Sequence, residues 1–217
     1  MTSFSHSPVK IAVLVSGHSR GTNLQSLIDA SKAKQIEAFV ELVVGTREDT
    51  PAISRANAEG ITTAICKPKD FHGDSEAYGK SLNSLFALHS IDIICLLGYL
   101  FQLPSCVVSA FPERILNVHP ALLPFFGGKG MYGKHVHQAV LDSGMKISGC
   151  TVHLVDENYD TGPILVQKCV PVDDSDTVQS LSERVLNAEH LAIVSAVKML
   201  TEYNISIIGN RVFAERK

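Results

Sequence analysis

The chain has 217 residues, 45% of them hydrophobic and 19% charged, with a formal net charge of −3. That is enough to bury a sizeable core in one large domain or two small ones, and we read one, spanning residues 1–217 with a flexible N-terminus over residues 1–9. There is no basic footprint, no Lys/Arg run interleaved with aromatics and no apolar run of membrane-spanning length, so neither nucleic acid nor a membrane is an expected partner.

In chain order, short β-branched apolar runs alternate with amphipathic stretches, the pattern of βα units around a mainly parallel sheet. Strands are predicted at Lys10–Val15, Phe39–Val44, Ile61–Ile65, Ile91–Leu97 and Ile115–Val118, with helices at Asn23–Lys34, Pro51–Glu59, Asp74–His89 and Pro104–Ala110. The first strand runs into Ser16-Gly17-His18-Ser19-Arg20-Gly21-Thr22-Asn23, a glycine-bearing turn at a helix mouth, where unpaired N–H groups can cradle a phosphate. The spacing is not Gly-x-Gly-x-x-Gly and no acidic residue ends the second strand, which speaks against a dinucleotide; the Lys-Ser/Thr pair of a P-loop is missing too. After Pro120 the character changes. A Gly-rich loop, 125–133, leads to a helix over Lys134–Leu141, then two alternating strands at Cys150–Val155 and Ile164–Val172, and a long helix over Thr177–Thr201. The fold class is α/β, a Rossmann-like, mainly parallel twisted sheet flanked by helices, with ligands at the carboxyl ends of its strands.

The cysteines, Cys66, Cys95, Cys106, Cys150 and Cys169, stand singly without Cys-x-x-Cys spacing. They suit buried thiols in a reducing compartment, by default the cytoplasm. The opening MTSFSHSPVK lacks the apolar stretch of a signal peptide and the arginines of a typical transit peptide.

The densest chemistry lies in Leu116-Asn117-Val118-His119-Pro120-Ala121-Leu122-Leu123 and, forty-one positions after its histidine, Asp160 in Tyr159-Asp160-Thr161-Gly162-Pro163. On a strand, Asn117 and His119 share one face, so an amide and a ring titrating near neutrality converge. An aspartate brought close would hold that ring charged and raise its pKa. His135-x-His137 invites a metal reading, but residues two apart on a helix diverge and no third ligand is evident; no metal is expected.

Together these segments resemble the folate-dependent formyltransferases over nearly the whole chain, from Lys10 to about Leu200. The carriers are Val-Ser-Gly…Gly-Thr-Asn-Leu-Gln, Leu97-Gly98-Tyr99, Leu-Asn-Val-His-Pro-Ala-Leu-Leu-Pro, Gly149-Cys150-Thr151-Val152-His153, Asp160-Thr161-Gly162-Pro163 and Glu189-His190. Within that superfamily, His-Pro-Ala-Leu-Leu-Pro points to the glycinamide ribonucleotide branch of purine biosynthesis. The resemblance implies formyl transfer from 10-formyltetrahydrofolate as co-substrate to glycinamide ribonucleotide, catalysed by Asn117, His119 and Asp160 in a monomer or homodimer. It assigns Gly21, Thr22 and Asn23 to the phosphate and Glu189 to the ribose. The folate falls to Leu100, Phe101, Gln102 and Leu103, with Asn117 and the loop Asp156, Glu157, Asn158, Tyr159 and Asp160. His153 is implied as support for the catalytic trio.

Three departures bear on binding and none touches the trio. His18-Ser19-Arg20 lengthens the phosphate turn, Phe101 stands at an often basic position, and the 126–134 loop is long. A formyltetrahydrofolate hydrolase or a methionyl-tRNA formyltransferase would append a further domain, for which the sequence leaves little room beyond the motif core. A sugar-nucleotide formyltransferase would share the trio and differ in the amine site, and a non-catalytic folate-binding protein would leave the trio unexplained.

Overall fold

The computed structural model describes Phe4, residues 8–17 and residues 19–217. The elements run β1 (Val9–Val15), α1 (Thr22–Lys32), β2 (Ala38–Gly45), α2 (Pro51–Ala58), β3 (Thr62–Ile65), α3 (Ser75–Leu88), β4 (Ile93–Leu96), α4 (Ser105–Ala110), β5 (Ile115–His119), α5 (Lys134–Asp142), β6 (Ile147–Leu154), β7 (Ile164–Pro171), α6 (Val178–Glu202), β8 (Tyr203–Ile208) and β9 (Arg211–Arg216). The expected flexible N-terminus falls mostly outside the described residues. Of its members, Val9 opens β1 and Phe4 packs against the core.

Seven strands form one sheet in the order β3-β2-β1-β4-β5-β6-β7. The first five are mutually parallel, β6 runs antiparallel to β5, and β7 antiparallel to β6. β1 shows why the centre is so apolar: Ile11, Val13 and Val15 face one core, while Ala12 and Leu14 face the other. Alternation therefore buries both sides, and the strand reads as a continuous hydrophobic run. Apolar stripes of α1, α2 and α6 cover the first face, and α3 and α4 cover the second. The long α6 opens with Thr177, whose hydroxyl accepts from Ser180 N while the Ser180 hydroxyl accepts from Thr177 N, a reciprocal cap.

Two expectations change. After α6, where the sequence reading assigned no element, β8 and β9 form a hairpin of their own, turning at Gly209-Asn210. Cys169, expected among buried thiols, is exposed on β7, whereas Cys66, Cys95 and Cys150 are buried.

Between β1 and β4 the strand order reverses, because β1 is followed outward by β2 and β3 on one side and by β4 on the other. Such a reversal leaves a crevice at the carboxyl ends of the strands. The turn after β1, the segment after β4 and the end of β5 all open there.

Candidate active site

A cavity of about 640 Å³ occupies this crevice, of a size that holds a small organic ligand. Its walls come from the turn after β1, the segment after β4, the end of β5, the Gly-rich loop, the 156–160 loop and one face of α6.

The end of β5 is fixed by its neighbour. Asn117 pairs with His153 and His119 with Thr151 across the antiparallel β5–β6 ladder. The Thr151 hydroxyl donates to the Ala121 carbonyl and accepts from Leu123 N, so the turn after His119 is tied to the same strand. Asn117 and His119 both line the cavity, as the strand period requires. Asp160 arrives from the β6–β7 connection with a positive φ of 58°, a conformation that aspartate and asparagine tolerate better than most side chains. Its loop is braced from within: the Thr161 hydroxyl bonds the Asp156 carboxylate, which also accepts from Asn158 N. Gly162 is dictated by space, since a Cβ there would stand 1.9 Å from the Leu154 carbonyl oxygen.

The trio is in contact. His119 Nδ1 lies 3.5 Å from Asp160 Oδ2, and Asn117 Nδ2 donates to Asp160 Oδ1 over 3.3 Å. Asn117 Nδ2 also donates to His153 Nε2, whose Nδ1–H is given to the Leu154 carbonyl. His119 Nε2–H is held by the Phe126 carbonyl at 2.8 Å, which fixes the proton of the neutral ring on Nε2. Gly128 N–H donates to Asp160 Oδ2 at 2.8 Å. Neither expected donor is idle: each is engaged by an acceptor of the protein itself.

The electrostatics correct one expectation. Asp160 does pull the His119 pKa upward, but burial of the ring is the larger effect and takes it below the ordinary 6.5, so the ring is neutral at pH 7. Burial also pushes the Asp160 carboxyl up. The adjacent His153 and His119 rings and the Gly128 N–H together outweigh that burial and leave it below its ordinary value, hence ionised.

At one end of the cavity the N-terminus of α1 begins at Gly21, whose positive φ of 72° and close approach to Ala52 admit no side chain. Thr22 and Asn23 follow, and Asn23 Nδ2 donates to Glu189 Oε2 at 2.8 Å. Gly21, Thr22, Asn23 and Glu189 are thus brought together on one wall, with Arg20 beside them. Burial raises the Glu189 carboxyl to about 7 against the opposing effects of the Asn23 bond and the Arg20 charge. His18, part of the lengthened turn, lies outside the described residues.

The other expected binding residues divide. Leu100, Phe101 and Gln102 are exposed in the cavity wall, while Leu103 is buried and both packs and lines. Asp156, Asn158, Tyr159 and Asp160 line the cavity; Glu157 does not, and contributes its carbonyl to a 2.7 Å bond from the Gln102 amide.

Sequence reading missed the Phe126 carbonyl, the Gly128 N–H and Ser16. Ser16 Oγ donates to the Gly98 carbonyl and accepts from Leu100 N. Backbone partners leave no trace in residue type, so no signal could have named the first two. His135 and His137 diverge, the former exposed against Tyr132, the latter buried in the cavity wall beside His119. Among the described residues no cluster of three or more His, Cys, Asp or Glu side chains could hold a metal ion.

A sequence model of formyl transferases matches residues 9–197. The chain is 41% identical over 204 residues to a chloroplastic phosphoribosylglycinamide formyltransferase of Arabidopsis thaliana, covering 93% of this chain and 69% of that protein. It is 38% identical over 192 residues to the trifunctional purine biosynthetic protein adenosine-3 of Gallus gallus, covering 88% of this chain and 18% of the larger protein. Among solved structures, glycinamide ribonucleotide transformylase 1 from Symbiobacterium toebii superposes with a TM-score of 0.87 at 34% identity, covering 95% of this chain and 93% of that one.

Proposed function

That this chain belongs to the formyl transferase family is the premise from which we propose its reaction: transfer of the formyl group of 10-formyltetrahydrofolate to the amine of 5-phosphoribosylglycinamide. The products are the formylated nucleotide and tetrahydrofolate, in a step of purine biosynthesis. The observation that carries the proposal is the contact of Asn117, His119 and Asp160 in one cavity that is also lined by a helix N-terminus with a carboxylate and by an apolar, backbone-rich segment. The acceptor rests on the relatives named for it.

The chemistry needs little machinery. The amine nitrogen bonds the formyl carbon, the bond from that carbon to folate N10 breaks, one proton leaves the amine and one arrives at N10. Negative charge grows on the formyl oxygen meanwhile. The Nε2–H of His119, now on the Phe126 carbonyl, and the Asn117 amide, whose bond to Asp160 is long, are the donors that would turn to that oxygen. Asp160, ionised and facing His119 Nδ1, would stabilise the ring as it gains positive character and carry the amine's proton. Holding both reactants in one cavity supplies part of the barrier through proximity. We read the transfer as direct, with neither covalent intermediate nor metal, because a neutral amine attacking a formyl carbon requires only these donors and a proton acceptor.

Gly21, Thr22 and Asn23 would hold the phosphate on the orphan N–H groups of α1, and Glu189 the ribose hydroxyls. The segment Leu100–Leu103 with the 156–160 loop would enclose the pterin. We take residues 1–217 as one formyltransferase domain. The free thiols support a reducing compartment, in the first instance the cytoplasm. No helix among the described residues is long and apolar enough to cross a membrane.

The test is a steady-state assay of purified protein with formyl folate and glycinamide ribonucleotide, run also without amine and with an amino-sugar nucleotide in its place. Turnover dependent on the glycinamide nucleotide is expected. Folate consumption without any amine, or turnover only with the sugar nucleotide, would replace this proposal.

A further inference from the structure

Tyr78 and Tyr99 form a hydroxyl pair that the reaction leaves unexplained. Both side chains are buried, and their oxygens stand 2.6 Å apart. Tyr78 belongs to α3 on the far side of the second core, whereas Tyr99 lines the cavity immediately before the exposed residues Leu100, Phe101 and Gln102.

That exposed segment is a strap pinned at both ends. At its start, Ser16 Oγ accepts from Leu100 N, and Ser19 Oγ donates to the Leu97 carbonyl. At its end, Pro104 and Cys106 press on α3 at Gly79, where a Cβ would meet the Cys106 sulfur at 2.3 Å, and Asn83 donates to the Cys106 carbonyl. Backbone anchors fix where the strap begins and ends. Between them the Gln102 amide holds the Glu157 carbonyl and Leu103 packs into the second core, and at the leading end the Tyr99 side chain, its ring tilted against Phe101 at 5.7 Å, is the lever that sets the roll of the strap. A buried hydroxyl must find a partner or lose its hydration uncompensated, so Tyr99 is held to the one position where its oxygen meets Tyr78.

We propose that Tyr78 is a positioning residue for the folate: through the Tyr99 hydroxyl it fixes the roll of residues 100–103, and hence the aim of the backbone groups that read the pterin. This rests on the assignment of that segment to the folate. If Tyr78 loses its oxygen, Tyr99 keeps a hydroxyl with no buried partner and turns toward water, rolling the strap with it. If both lose their oxygens, two rings pack edge to edge with nothing orphaned and the strap settles back.

The experiment compares wild type, Tyr78→Phe, Tyr99→Phe and the double variant. Each is measured by calorimetric titration with a 5,8-dideazafolate, by separate KM values for formyl folate and glycinamide ribonucleotide, and by thermal melting. Each single variant should weaken dideazafolate binding and raise the folate KM about five- to tenfold, the effect of one orphaned hydroxyl, with the nucleotide KM and kcat within about twofold of wild type. The double variant should return to within about twofold. A purely structural pair would lower the melting temperature and leave both folate readouts in place, which overturns the proposal, as does a parallel rise in the nucleotide KM. Should Tyr78→Phe not fold, Tyr99→Phe and the double variant carry the same test. Wild-type protein that binds no dideazafolate overturns the folate assignment itself, whereas wild-type binding with unchanged variants overturns only the role of Tyr78.

Discussion

Replacing Asp160 with asparagine isolates charge from shape. Asparagine accepts the positive φ of 58° at this position as readily as aspartate does, so the loop keeps its path. Its carbonyl oxygen can take the place of Oδ2 and still accept the Gly128 N–H, while its amide stands in the place of Oδ1 within reach of His153 Nε2, so that a neutral oxygen faces His119 Nδ1. What disappears is the negative charge 3.5 Å from that nitrogen, between side chains only 4% and 10% exposed. At an effective dielectric of 20, a full positive charge developing on the ring would lose about 4–5 kcal/mol of attraction, or roughly three orders of magnitude in kcat. The assay is steady-state turnover with both substrates saturating, beside dideazafolate affinity and a thermal melt. Affinity and melting temperature should hold near wild-type values while kcat collapses. A variant retaining more than about a tenth of wild-type turnover would refute the idea that Asp160 acts through its charge.

Other expectations follow from the same geometry. Glu189→Gln should flatten the dependence of stability on pH. The folded carboxyl titrates near 7 against an ordinary value of 4.5, so its stabilising contribution is complete below 4.5 and lost as pH rises through 7; melts of both proteins from pH 5 to pH 8 read the difference, and parallel curves would remove Glu189 from consideration. Gly162→Ala drives a Cβ against the Leu154 carbonyl and must shift the loop carrying Asp160, so both melting temperature and kcat should fall, with crystallography of the variant showing Asp160 displaced. Thr177→Ala removes half of the α6 cap at a residue that does not line the cavity. It should cost about 1 kcal/mol, a drop of ~2–4 °C in melting temperature, with kinetic constants unchanged.

How much of this was legible in the sequence depended on where the information resides. The parallel core was readable because strands buried on both faces are apolar throughout, as at Ile93–Leu96. The trio was readable because Asn117 and His119 sit two apart on a strand and Asp160 stands in a marked turn. The state of His119 was not, since burial is a property of the assembled cavity and proved stronger than the neighbouring charge. The β8–β9 hairpin did leave a signal, Ile-Ser-Ile-Ile followed by Gly209-Asn210 and Arg-Val-Phe, with the two-residue turn that favours a hairpin. The long helix, predicted to end at Thr201, runs to Glu202 in the structure, and no element is predicted beyond it. The tyrosine pair was hidden because Tyr78 and Tyr99 lie 21 residues apart on elements whose contact only the packing creates.

The reversal of direction at β6 has a consequence for how this molecule can change. Asn117, His119 and their supporting partners are rungs of one antiparallel ladder, and a slip of one residue would turn every one of them to the opposite face. The wall we propose for the amine substrate draws instead on the turn after β1, the start of α1 and Glu189 of α6, none of them a rung of that ladder. On that proposal, a lineage or an engineer can rebuild the acceptor side piecemeal while the reacting centre is inherited whole.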